Sequence, residues 1–204
     1  MDRKAHWEGV YTTKAPDAVS WYQRLPARSL ELLAEAGVGP ASAVLDVGGG
    51  DGTLVDALLA RGLSRVTVLD LSGAALARAR DRLGPAGAPV AWLEADVTRT
   101  VLPPAAFDAW HDRAVFHFLT EPDDWVRYAA QAAAAVRPGG ALVVGTFAPD
   151  GPTRCSGLDV ARYGPAELAD AFADAFAPVR ALADVHRTPW GAEQRFTYAL
   201  LRRR

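Results

Sequence analysis

The sequence predicts an α/β fold: a doubly wound, mostly parallel seven-stranded sheet with helices on both faces and an antiparallel C-terminal edge strand. Three observations carry that expectation. Short apolar runs alternate with segments of helical period over most of the chain. Gly and Pro punctuate it at short intervals, so each segment has clear ends. The last two apolar runs are joined only by His186 to Arg195, close enough to pair antiparallel at one edge. Strands joined through helices cross over right-handed, which puts helices on both faces of a parallel sheet.

The elements follow in order. Ser29 to Ala36 reads as a short helix. Ala43-Val44-Leu45-Asp46-Val47 is apolar and ends in glycines, as a buried parallel strand does. Thr53 to Arg61 places Leu54, Val55, Leu58 and Leu59 at helical spacing. Arg65 to Leu69 is β-branched and apolar, a second strand. Ser72 can cap a helix running through Leu83, with Leu76, Ala79 and Leu83 on one face, and Gly84-Pro85 stops it. Val90 to Leu93, Phe107 to Trp110 and Ala141 to Phe147 are the third, fourth and fifth strands. Trp125 to Val136 is an alanine-rich helix ended by Arg137-Pro138-Gly139-Gly140. Pro165 to Phe176 is helical, with Pro165 at a first turn. Val179 to Val185 and Phe196 to Leu201 are the two late strands.

Composition narrows the function classes. The 204 residues fit one domain, half of them apolar and 23% charged, a globular balance. Twenty-two basic against 24 acidic side chains leave a net charge of −2, with no bulk attraction for nucleic acid or a membrane surface. The lone Cys155 forbids an intrachain disulfide and a cysteine zinc cluster, and reads as structural. No run approaches a bilayer-spanning length, and the first residues lack the apolar stretch of a secretory signal; the expectation is a cytoplasmic protein.

Leu45-Asp46-Val47-Gly48-Gly49-Gly50-Asp51-Gly52 is the most informative stretch. Glycines between a strand and a helix let the chain turn sharply and let a ligand press on bare backbone. A dinucleotide fingerprint, G-x-G-x-x-G/A, fails at its third position, which is Thr53. The pattern is D-x-G-x-G-x-G. An acid at the strand tip repels a pyrophosphate and suits an ammonium group.

With these residues the chain resembles the class I S-adenosylmethionine-dependent methyltransferases, in particular small stand-alone members. The resemblance rests on Val44 to Gly52, Leu69-Asp70-Leu71-Ser72, Glu94-Ala95-Asp96-Val97, and Arg137 to Gly140 before the fifth strand. His6-Trp7-Glu8 and Ser20-Trp21-Tyr22-Gln23 are similar to the family's N-terminal flank. The resemblance implies a single methyltransferase domain over 1–204: a cap segment 1–40, a cofactor-binding core 41–147, and a C-terminal helix with edge strands 148–204. It implies S-adenosyl-L-methionine as cofactor, held by Asp46, Gly48 and Gly50. Asp70, at the end of the second strand, can accept hydrogen bonds from a ribose diol, or cap the helix after it. Leu71 would flank the adenine, Asp96 would accept from its amino group, and Val97 would offer a backbone donor. Trp7, Tyr11 and Trp21 either face a sulfonium cation or pack a cap helix onto the sheet. Tyr22 falls on the acceptor side, a catalytic candidate whose hydroxyl can aim at a substrate.

The segment His111-Asp112-Arg113-Ala114-Val115-Phe116-His117 lies where the fourth strand gives way to a helix, the edge that lines the ligand crevice of an open α/β sheet. His111 reads as a cofactor-side contact. His117 is the better candidate for a general base, with Asp112 beside it, because imidazole accepts a proton near neutral pH. The plainer alternatives are an Asp112–Arg113 ion pair and a packing role for His117. Arg113 orients a carboxylate rather than reacts. His186 and Trp190 read as solvated loop residues. Metal is not required. The function expected is methyl transfer to S, O or N of a small molecule, without nucleic-acid or membrane partners and with the oligomeric state open. The alternatives are a protein lysine-type methyltransferase, a nicotinamide-dependent oxidoreductase and a non-catalytic scaffold. A small-molecule enzyme predicts an enclosed aromatic pocket, and a protein methyltransferase an acidic open groove.

Overall fold

The computed structural model describes residues 2–204. Helices α1 (Arg3–Thr13) and α2 (Ala27–Glu35) precede β1 (Ala43–Val47). Then come α3 (Leu54–Ala60), β2 (Arg65–Asp70), α4 (Gly73–Leu83), β3 (Ala91–Glu94) and β4 (Phe107–Arg113). After α5 (Pro122–Ala135) and β5 (Val136–Phe147), a two-residue hairpin, β6 (Arg154–Cys155) and β7 (Leu158–Asp159), leads to α6 (Pro165–Asp170). The long strands β8 (Phe176–Arg187) and β9 (Glu193–Arg203) close the chain.

The seven main strands lie in the order β3-β2-β1-β4-β5-β9-β8. All pairs from β3 to β5 are parallel, and β9 pairs antiparallel with both β5 and β8. The chain therefore reverses its winding between β1 and β4, which opens a crevice at the strand tips there.

Strand alternation assigns the two cores. Leu45, Trp110, Leu142 and Leu201 face α5 and α6, with Tyr128 and Phe172. Val44, Ala109, Val143 and Leu200 face α2, α3 and α4, with Leu32, Leu58 and Leu76. Ser72 caps α4 as expected, its Oγ accepting from the Ala75 N–H at 3.1 Å.

Three expectations are corrected. The fourth strand runs on to Arg113, because His111 and Asp112 pair in register with Asp46 and Val47 of β1 and with Val143 and Val144 of β5. The helix expected over Pro165 to Phe176 stops at Asp170, and Phe176 opens β8 instead. His186 and Arg195 belong to β8 and β9, whose ladder extends to Arg187↔Glu193, rather than to a loop.

Candidate active site

Between β1 and α3 the chain turns over Gly48 to Gly52. Gly48 and Gly50 sit at φ +65° and +52°, a region that disfavours side chains. The Gly48 N–H donates to the Leu69 carbonyl at 2.7 Å, tying the loop to the tip of β2. A Cβ at Gly48 would overlap the Val115 side chain, and one at Gly50 would stand 2.6 Å from the Tyr11 hydroxyl. Bare backbone is thus enforced where the crevice opens.

Two cavities meet over this turn. The first, of about 780 Å³, is walled by Asp70, Leu71, Asp96 and Val97 at the β2 and β3 tips and by Trp7, Tyr11 and Trp21 from the N-terminal segment. The second, of about 580 Å³, is walled by Asp46, Gly49, Ser29, His111 and Tyr22. Val47, Gly48, Trp21 and Arg113 border both. Beyond Tyr22 an open groove continues past Gln23, Arg24 and His186.

Asp70 is buried and accepts from the Ser72 N–H at 2.8 Å through Oδ1. Burial lifts its pKa to about 7, with Asp46 and Asp51 adding to the rise, although the Ser72 and Gly50 backbone donors oppose it. Tyr11 is pushed well above its ordinary value by burial and by Asp70. Asp96 accepts from the Thr98 N–H and Oγ1–H at 2.9 and 2.7 Å, and its residue is half-buried.

Helix α1 covers the first cavity. Glu8 accepts from the Ser72 Oγ–H at 2.7 Å and from the Ala74 N–H at 3.2 Å, so α1 docks on the N-terminus of α4. Arg3 pairs with Asp124 of α5. Trp7 meets Trp21 and Phe118 edge-on, with centroids 5.8 and 5.0 Å apart. The aromatic residues thus pack the cap helix and wall the cavity at once.

Alternation along β4 decides the fate of the segment after it. His111 and Arg113 point to the α2 side, and Asp112 to the α5 side. His111 donates from Nδ1 to Asp46 Oδ1 at 2.7 Å, and its Nε2 lies 2.8 Å from Ser29 Oγ. Arg113, Gly145 and Tyr198 form one row across β4, β5 and β9. The bare Gly145 lets the Tyr198 ring lie across β5, where a Cβ would stand 2.6 Å from it. Arg113 Nε donates to Tyr198 Oη at 3.0 Å, and Nη1 to the Trp21 carbonyl at 3.0 Å.

Asp112 and His117 are corrected as proton-transfer candidates. The Asp112 carboxylate accepts from Tyr128 Oη–H at 2.5 Å and from the Val115 and Phe116 N–H groups at 2.9 and 3.0 Å. It is fully buried against α5, which raises its pKa to about 6. His117 is fully buried between Phe118 and Phe147 in a single 3₁₀ turn and borders none of the three cavities. Burial and the Arg113 charge push its pKa down to about 3, so it is neutral at physiological pH. His186 is buried rather than solvated, donating from Nε2 to the Ser20 carbonyl at 2.6 Å, whereas Trp190 is exposed. Cys155 is buried in the wall of the first cavity, and burial raises its thiol pKa.

Sequence reasoning missed Ser29, Val115 and Glu8. Only Glu8, three residues before Tyr11 on one helical face, left a legible trace. No group of three His, Cys, Asp or Glu side chains suited to a metal occurs among the described residues. No helix among them is long and apolar enough to cross a membrane.

Comparison with known proteins agrees with this geometry. Residues 44–140 match the family described as Methyltransferase domain. Uncharacterized methyltransferases of Mycobacterium bovis and Mycobacterium tuberculosis are 42% identical over 104 residues, 51% of this chain and 50% of theirs. The chain thus spans about half the length of the curated relatives it matches. Among solved structures, the 1,6-didemethyltoxoflavin-N1-methyltransferase of Burkholderia thailandensis, with its substrate and S-adenosylhomocysteine bound, superposes with a TM-score of 0.70. Its identity is 25%, covering 98% of this chain and 84% of that one. The N-methyltransferase NodS from Bradyrhizobium japonicum, with S-adenosylhomocysteine, gives a TM-score of 0.73 at 18% identity, covering 99% of both chains. Residues 44–140 match a methyltransferase domain, and the chain has the fold of the S-adenosylmethionine-dependent methyltransferases.

The residues present fit such a cofactor. A buried carboxylate, Asp70, borders the first cavity. Gly48, which borders it, has no side chain of its own and is met by Val115.

Proposed function

We propose that this protein transfers a methyl group from S-adenosyl-L-methionine to a nucleophilic sulfur, oxygen or nitrogen of a small molecule. The observation that carries the reading is the placement of Asp46, Asp70 and Asp96 at the tips of three adjacent strands, around two cavities that join over Gly48.

Bound there, the cofactor supplies a methyl group on a sulfonium, with a neutral thioether as leaving group. The chain does the rest by holding and aligning. Asp70 accepts from the ribose hydroxyls, Leu71 flanks the adenine, and Asp96 and Val97 meet its polar edge. Gly48 and Gly50 let the ligand lie on bare backbone, with Asp46, oriented by His111, opposite its ammonium group. Trp7, Tyr11 and Trp21 surround the cation with ring faces and edges and exclude water. Tyr22 borders the second cavity and the open groove, on the acceptor's way in. Alignment of acceptor and methyl can be worth roughly 7–11 kcal/mol of barrier. His117 and Asp112 do not take the acceptor's proton, since neither borders the cavities.

Aromatic walls around the donor site, and a groove rim bearing Arg24, Arg187 and His186, favour a small acceptor over a protein lysine, which would call for acidic walls. The test is incubation with methyl-labelled S-adenosylmethionine and a panel of thiols, phenols, amines and protein extract. Label in small acceptors is the expected result. Label confined to protein would favour the lysine-type reading. Cofactor binding with no label transferred would favour a scaffold, and binding of NAD in place of S-adenosylmethionine an oxidoreductase.

A further inference from the structure

We propose that the methyl acceptor is an organic acid and that Arg113 binds its carboxylate; this rests on the methyl-transfer reading of the site. Arg113 borders both cavities, yet makes no ion pair among the described residues. Its hydrogen bonds go to two neutral oxygens, Tyr198 Oη and the Trp21 carbonyl. Its guanidinium lies over the Phe196 ring, 4.8 Å from the centroid. Nη2 is buried with no partner at all. A half-buried guanidinium with a buried free donor and no counter-charge suits an anion. The Arg113 charge also lowers the pKa of both His117 and His186, after burial.

Arg113 shares the first cavity with the donor's residues but lies at its opposite edge. Asp46, Asp70 and Asp96 stand at the tips of β1, β2 and β3. Arg113 leans the other way, across Gly145 of β5 to Tyr198 and Phe196 of β9. From β1 to β9 is three strand spacings, roughly 14 Å. A donor whose adenosine lies at β2 and β3 and whose amino-acid tail lies on the β1 turn leaves the β9 side to the acceptor. Tyr198 and Trp21 take the Nε–H and one Nη1–H, so the second Nη1–H and the two Nη2–H are left for the ligand.

The test uses S-adenosylhomocysteine-saturated protein, titrated calorimetrically with acid and amide pairs: benzoate and benzamide, phenylacetate and phenylacetamide, acetate and acetamide. At least one acid binds about tenfold more tightly than its amide, as a charge-assisted hydrogen bond requires. Arg113→Gln abolishes that preference and leaves S-adenosylhomocysteine affinity within about threefold, and Arg113→Lys retains part of it. The wild-type comparison stands without any variant, and S-adenosylhomocysteine binding reports that each variant is folded. No acid preference in any pair, or a preference that survives Arg113→Gln, overturns the proposal. So does a tenfold loss of S-adenosylhomocysteine affinity in folded Arg113→Gln, since the carboxylate would then be the donor's own. Failure of wild-type protein to bind S-adenosylhomocysteine would instead strike the methyl-transfer reading, and this proposal with it.

Discussion

His111 donates from Nδ1 to Asp46 Oδ1 across 2.7 Å, and the two are register partners on adjacent parallel strands. Both are buried, and Ser29 of α2 meets the other ring nitrogen at 2.8 Å. The acid of the glycine loop is therefore held from behind, with its second oxygen against Gly49. Removing the imidazole leaves a buried carboxylate without its donor. His111→Ala is expected to lower stability by about 3 kcal/mol and Ser29→Ala by about 1 kcal/mol. Urea unfolding measures both. Equal small losses would mean that the pair contributes nothing beyond packing.

Asp70 makes a pH prediction. Its carboxyl is raised from 3.8 to about 7 by burial, so the folded protein keeps a proton that the unfolded chain has shed above pH 4. That contribution to stability is full below pH 4 and is lost as the pH rises to 7, with no further loss above it. Asp70→Asn is therefore expected to match wild type at pH 4 and exceed it at pH 8, by on the order of 3 kcal/mol. Ribose hydroxyls donate best to the ionised form, so wild-type affinity for S-adenosylhomocysteine should rise about tenfold from pH 6 to 8. A pH-independent affinity would remove the ribose assignment.

Gly48 and Val115 are coupled by shape. A Cβ at position 48 overlaps Val115 Cγ2, and φ is +65°. Gly48→Ala should weaken S-adenosylhomocysteine binding by tenfold or more, about 1.4 kcal/mol at least. Adding Val115→Ala relieves the overlap but not the backbone strain, so the double variant should recover part of the loss. Additive losses in a calorimetric double-mutant cycle would rule out the contact.

His117 is neutral in the folded protein down to about pH 3. Its Nε2 is buried without a partner, and its Nδ1 has only the Phe147 N–H at 3.4 Å. A buried polar ring so poorly satisfied is replaceable by an apolar one. His117→Leu should keep turnover within about threefold, with stability unchanged or higher at pH 7. Because its folded pKa lies below 6.5, the residue's contribution is full above pH 6.5 and lost as the pH falls toward 3. The variant should therefore lose less stability than wild type over that window. A collapse of kcat with unchanged KM would restore His117 to the chemistry.

What could be read beforehand was whatever depends on local pattern. The Asp46 to Gly52 turn, the Ser72 cap, the strand that ends at Asp70 and the one that precedes Asp96 follow from spacing, glycine and capping chemistry. What could not be read depends on which face a side chain takes. His111, Asp112 and Arg113 look alike in a sequence of polar residues. Once β4 extends to Arg113, alternation sends Asp112 to Tyr128 and leaves its neighbours beside the crevice. The inward course of His117 is hidden for the same reason: a 3₁₀ turn of three residues points it inward, and no periodicity announces so short an element. The contacts of Ser29 with His111 and of Glu8 with Ser72 join residues 82 and 64 positions apart, a separation no local motif encodes.

The most direct test of the whole account is a calorimetric titration of S-adenosylhomocysteine into wild-type protein and Asp70→Ala at pH 8. The account predicts one site per chain, with affinity at least tenfold weaker in a variant that remains folded. Absence of binding to wild type, or equal affinity in both proteins, would contradict it.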